Sequence, residues 1–131
     1  MKKLLLLFVS ATLLMACSDD DTKKTQPIEV HGAWTMTKYM AFAPELPPLA
    51  DGQVVWVFNN NNTVTMTNQA PPHFSSIGTF NYHIEGDAVF IETEDGFEEK
   101  YFYSFPDGGL RLESELASSD GPIMVFKSYQ Q

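Results

Sequence analysis

Few side chains in this 131-residue chain stand where they could do chemistry. Its single cysteine, Cys17, rules out an intramolecular disulfide and leaves one thiol to explain. The histidines at 31, 73 and 83 show no His-x-His or His-x-x-Glu-His spacing, so a three-histidine zinc site is not expected. The acidic stretches Glu92-Thr93-Glu94-Asp95 and Glu98-Glu99 offer oxygen ligands for calcium but lack the spacing of an EF-hand loop. Their expected role is a solvated rim that keeps the edges of a β-rich protein unpaired. No serine sits in a Gly-x-Ser-x-Gly setting, and no glycine-rich loop could cradle a phosphate. These patterns argue for neither an enzyme nor a bound cofactor.

The position of Cys17 gives it a different chemistry. Lys2 and Lys3 precede an apolar run from Leu4 to Met15, which stops at Ala16-Cys17. A membrane-spanning helix needs about 20 apolar residues, so this run is too short to span. A charged start, an apolar middle and a small residue before the break are the parts of a cleaved secretory signal. The stretch Leu14-Met15-Ala16-Cys17 resembles the lipobox of bacterial lipoproteins. That resemblance implies cleavage after residue 16, acylation of Cys17 and a membrane lipid as its partner. One fatty chain binds membranes only marginally, whereas two or more anchor stably. The following Ser18-Asp19-Asp20-Asp21 has two readings: a solvated spacer, or the serine-plus-acidic export signal that it resembles in Bacteroidetes-type surface lipoproteins. The implied location is the bacterial outer membrane, with the domain facing either the periplasm or the cell surface.

The whole chain carries a formal charge of −9. Cleavage removes Lys2 and Lys3 and leaves 6 basic against 17 acidic side chains, a net −11. Binding to nucleic acid needs clustered Lys and Arg, so this class of partner is not expected.

Residues 17–27 read as the lipidated cysteine and a polar tether, and 28–131 as one domain of about 100 residues, an ordinary domain size. No helical periodicity runs through that domain. Short stretches rich in Val, Thr, Phe, Tyr and Ile alternate with turn residues, which predicts an all-β fold. Eight strands are expected: Val30–Met40, Val54–Asn59, Thr63–Asn68, Ile77–Ile84, Ala88–Thr93, Glu98–Phe105, Leu110–Glu115 and Ile123–Tyr129. Three connections carry hairpin chemistry, through Asn60-Asn61-Asn62, Glu85-Gly86-Asp87 and Pro106-Asp107-Gly108-Gly109. If successive strands run antiparallel, these turns gather at one end and the longer loops at the other. A cup with a closed base and an open mouth has that asymmetry.

Gly32-Ala33-Trp34 at the start of the first strand resembles the Gly-x-Trp signature of lipocalins, whose tryptophan closes the base of an eight-stranded up-and-down barrel. The order of GAWTMTK (32–38), WVFNNNNTVTM (56–66), GTFNYHIEGDAVFI (78–91) and VFKSY (125–129) is similar to that of the short lipocalin-like lipoproteins of Bacteroidetes-type bacteria. The resemblance implies an antiparallel up-and-down barrel that binds a small apolar or amphipathic ligand at its mouth.

Strict alternation assigns the inward faces. It places Trp34, Met36 and Met40 inside, with Thr35, Thr37 and Tyr39 outside. Val64 and Met66, Phe80, Tyr82 and Ile84, Val89 and Ile91, Tyr101, Tyr103 and Phe105, Leu110 and Leu112, and Val125 and Lys127 complete the set. The second strand is apolar on both faces and gives no assignment. Gly32 and Trp34 are expected at the base. Candidate ligand contacts are Met36, Met40, Phe42, Met66, Phe74, Tyr82, Tyr101 and Tyr103.

An eight-stranded barrel holds either side chains alone or one small ligand, and both outcomes stay open. The loop at 41–53, with three prolines, is either a lid or a cap that buries Phe42, Leu46 and Leu49. A filled barrel would act instead through its outer face, with Tyr39 and Phe74 exposed to a surface protein or a glycan.

Overall fold

A computed structural model of the chain describes residues 29–41, 46–69 and 76–130. Cys17 and the stretch expected to be a tether, together with Phe42, His73 and Phe74, lie outside the described residues. The strands are β1 (Gly32–Met40), β2 (Val54–Phe58), β3 (Thr63–Asn68), β4 (Gly78–Glu85), β5 (Ala88–Glu92), β6 (Glu98–Ser104), β7 (Leu110–Ser114) and β8 (Ile123–Ser128). Each lies within two residues of its expected bounds.

The strands form a closed barrel in sequence order, β1 through β8, and β8 returns to β1. Every neighbouring pair is antiparallel. The fold is thus the eight-stranded up-and-down β-barrel. Closure leaves no sheet edge open to another chain, and each strand finds both partners between residues 32 and 128. The unit needs no other segment to complete its strand pairing.

The inside is apolar. Trp34, Met36, Val54, Trp56, Phe58, Val64, Met66, Tyr82, Val89, Ile91, Tyr101, Leu110, Leu112, Met124 and Phe126 share one buried cluster with Val30. The outside carries Thr65, Thr67, Asn81, His83, Glu98, Lys100, Glu113 and Lys127, among others. That arrangement inverts the one a lipid-spanning barrel requires, in which the apolar band faces outward. Among the described residues no helix is long and apolar enough to cross a membrane.

The loops sort as expected. The β2–β3, β4–β5 and β6–β7 turns close one end, and residues with positive φ make them tight: Asn62 (62°), Gly86 (60°), Asp107 (53°) and Gly108 (77°). Trp34 belongs to this base. Its Nε1 donates to the Val30 carbonyl at 2.7 Å, and its ring lies 6.2 Å from that of Phe105. Gly32 precedes it with φ of +124° in open space, so the backbone angle, not crowding, calls for glycine.

Facing assignments in β1 and β8 need correction. In β1, Met36 opposes Phe126 while Lys38 opposes Val125, so Thr37 is an extra residue. This β-bulge inverts the alternation beyond it. Tyr39, opposite buried Met124, turns inward and packs on the core, while Met40, opposite Ile123, faces out. In β8 the inward residues are Met124 and Phe126, 2% and 1% exposed, whereas Val125 and Lys127 face outward. Both parities of that strand carry apolar residues, and the pairing of Leu110 with Phe126 and of Leu112 with Met124 decides between them. Ile84 keeps its row but sits beyond the core at the base rim, 38% exposed.

The described part of the β1–β2 loop is a strap along the wall and does not cross the mouth. β2 stops pairing with β1 at Val55, and the chain from Leu49 to Gly52 takes its place alongside β1. Leu49 N donates to the Thr37 carbonyl at 3.2 Å, and Gly52 N to Thr35 Oγ1 at 2.9 Å. Leu49 adds its side chain to the core, in line with the capping role. Thr35 points outward yet is fully buried beneath this strap. The strap is tied down by an ion pair between Lys127 Nζ and Asp51 Oδ1 at 2.7 Å.

Candidate functional site at the barrel mouth

The lower half of the barrel fills itself. Trp34, Met36, Phe58, Leu110, Leu112 and Phe126 are each at most 5% exposed. Phe58 meets Tyr82 edge-on at 5.1 Å between ring centres, and Trp56 lies 5.3 Å from Phe126. Such contacts resemble those of any close-packed interior.

Above Trp56 the packing stops. A cavity of about 520 Å³ opens at the mouth between the upper strands and the β5–β6 and β7–β8 loops. Its size falls within the usual range for small-molecule sites. Its inner wall is made by Tyr39, Trp56, Met66, Phe80, Ile91 and Met124, and Tyr101 and Glu99 stand on one side. Glu92, Glu98 and Glu115 ring the opening, with Lys100 as the basic residue among them. Lys100 is engaged on the outside, 3.2 Å from Glu115 and 4.7 Å from the centre of the Phe102 ring.

The register explains how an acidic residue comes to line an apolar space. In β6, Glu99 pairs with buried Ile91 and Tyr101 with buried Val89, so both lie on the inward face. Tyr101 Oη donates to Glu99 Oε2 at 2.6 Å. Burial, and then this bond to an anion, push the Tyr101 hydroxyl well above the ordinary phenol range. Tyr39, brought inward by the bulge, is also raised, first by burial and then by the charge of Glu99. Both tyrosines stay protonated at physiological pH.

The cavity therefore combines apolar walls, four aromatic residues, two phenolic hydroxyls and the inward carboxylate of Glu99. Trp56 Nε1–H is sealed from the cavity and has no hydrogen-bond partner among the described residues.

The ligand-contact candidates read from the sequence separate. Met66 and Tyr101 line the cavity. Met36, Tyr82 and Tyr103 sit lower, in or against the filled core; Tyr82 Oη donates to the Asn59 carbonyl and Tyr103 Oη to that of Gly86, both in base turns. Met40 lies on the outer face, and Phe42 and Phe74 lie outside the described residues. Tyr39, Glu99, Trp56, Phe80, Ile91 and Met124 line the cavity although none was a candidate contact. Alternation alone could have placed Glu99 beside Tyr101. Tyr39 could not be found that way, because the bulge has no residue signature in MTKYM.

His31 lies 3.3 Å from Glu29, and His83 stacks on Phe90 outside the barrel at 4.8 Å between ring centres. Among the described residues, no three His, Cys, Asp or Glu side chains are placed to hold a metal ion. No protein-family model matches the chain, and no curated protein is significantly similar to it.

Proposed function

We propose that this protein is a lipid-anchored, lipocalin-like barrel of the bacterial outer membrane, of the Bacteroidetes lipoprotein type, that binds a small apolar or amphipathic molecule at its mouth. The role is binding, without a chemical step. One observation carries the reading: an apolar-walled cavity of about 520 Å³ opens above a base that is otherwise filled. β1 enters at the base, so the mouth lies at the end of the barrel away from the tether. The anchor rests on the lipobox-like Leu14–Cys17, and labelled palmitate should enter the wild-type chain but not a Cys17→Ser variant. Protease treatment of intact cells distinguishes an outward-facing from a periplasm-facing anchor.

Binding is tested on residues 26–131, which include every strand of the closed barrel. Titration with apolar fluorescent probes should give saturable one-to-one binding, seen through Trp56 emission. Met66→Arg, which puts charge and bulk into the cavity wall, should abolish it while the far-UV spectrum stays native. A wild-type domain that binds no apolar or amphipathic compound would overturn the reading.

A second reading, a contact surface for another protein or a glycan, is favoured by the exposed apolar side chains at the mouth. Ile77, Phe97 and Leu116 are 55%, 73% and 65% exposed. Capture of one specific envelope partner, lost when all three become serine, would favour this reading over the first.

A further inference from the structure

One charged group in the mouth cavity is not neutralised by the fold. Glu99 is held on the inward face by its register with Ile91 and accepts one hydrogen bond, from Tyr101. Among the described residues no Lys, Arg or His pairs with it. Glu99 is itself exposed at the mouth, and the apolar wall of Tyr39, Tyr101 and Ile91 on its inner side strengthens its attraction for a cation that enters the cavity and displaces water. Aromatic faces favour cations for the same electrostatic reason. The neighbouring Glu92 and Glu98 add to a negative field at the opening, which disfavours an anionic head group.

Trp56 lies in β2, which belongs to a different part of the wall from β6, and is 3% exposed. Its indole N–H is a donor without an acceptor among the described residues. Buried donors are nearly always satisfied, and leaving one unmade is costly. This N–H is sealed from the open cavity, so no role in the ligand site is assigned to it.

We propose that the mouth cavity selects a cationic amphipathic small molecule, with an ammonium group at Glu99 between Tyr39 and Tyr101 and an apolar chain against Met66, Phe80 and Met124. This rests on the reading of the cavity as a ligand site and names the ligand's chemistry. Long-chain carboxylates, common cargo for apolar cavities, are selected against.

Three probes of one chain length separate the contributions: methyl ω-aminododecanoate, dodecylamine, and monomethyl dodecanedioate, the charge-reversed half-ester. Each is titrated calorimetrically into residues 26–131 below its aggregation concentration. The amino ester should bind at least about tenfold more tightly than the half-ester, a difference of about 1.4 kcal/mol. Glu99→Gln keeps an acceptor for Tyr101 and should shrink that gap to less than about threefold. Dodecylamine, which carries the same ammonium group, should likewise bind more tightly than the half-ester. Equal binding of amino ester and half-ester by the wild type would overturn the cationic proposal while leaving the cavity reading intact. If none of the three binds, and apolar probes also fail, the cavity reading falls with it.

Discussion

At the level of single residues, the tyrosines determine how the protein responds to alkali. Tyr39, Tyr82 and Tyr101 all have hydroxyls raised above the ordinary value of 10.0, in each case first by burial. Their folded-state pKa exceeds the unfolded one, so the stability they contribute is fully present below pH 10 and is lost as pH rises beyond it. In that window the unfolded chain releases protons that the folded chain retains. A group that stays protonated when folded costs up to about 1.4 kcal/mol per pH unit above its unfolded pKa. Tyr101 is the most strongly shifted and should dominate. Urea unfolding followed by far-UV circular dichroism should show a stability plateau at neutral pH and a decline above about pH 10. A Tyr101→Phe variant should show a shallower decline. A slope unchanged by that substitution would count against the hydrogen bond from buried Tyr101 to Glu99.

At the level of elements, β1 carries the least regular feature and the one with most influence on the cavity. Thr37 is the extra residue of its bulge; its carbonyl accepts from Leu49 N, and its Oγ1 donates to the Val125 carbonyl at 3.1 Å. Removing an inserted residue restores a regular strand without changing which side chains face in. Deleting Thr37 should therefore leave Tyr39 inside and cost only the two hydrogen bonds, about 1–3 kcal/mol. Deleting Thr65 from β3, which pairs in unbroken register with β2 and β4, should behave differently. It would turn either Val64 or Met66 to the solvent face. We expect the Thr37 deletion to melt cooperatively with native near-UV signal, and the Thr65 deletion to lose that signal. Equal tolerance of both would mean that the bulge does not set the facing of Tyr39.

For the whole molecule, the barrel is divided into a filled base and an open mouth, and two methionines report on the division. Met36 is 0% exposed in the filled part, and Met66 is 4% exposed on the cavity wall. Met36→Ala should lower stability by about 2–5 kcal/mol, the range for large-to-small changes in a packed core. Met66→Ala should cost less than Met36→Ala, because its side chain already borders open space, but should weaken probe binding. Denaturant titration compares the two. A ligand that saturates the mouth should also raise the midpoint of the wild type with concentration, as mass action requires.

The strand count, the hairpin ends, the sorting of long and short loops and the base tryptophan were legible in the residues alone. All of them depend on local chemistry: alternation of Val, Thr and aromatic residues, the positive φ tolerated by Asn, Asp and Gly, and a Gly-x-Trp at the first strand. The likeness to a lipoprotein signal at Cys17 is local in the same sense. The site was only partly legible, and for a non-local reason. In β2 and β8 both faces are apolar, so pairing with neighbours decided that Trp56, Met124 and Phe126 point inward. In β1 one inserted threonine moved Tyr39 in and Met40 out. Whether the aromatic side chains would fill the barrel or leave space was also a question of volume in three dimensions. Closure of eight strands sets the interior, and the residues at the base fill it while those at the mouth do not. The strands could therefore be read from the sequence, but only tertiary packing placed a carboxylate, two tyrosines and an indole around one cavity.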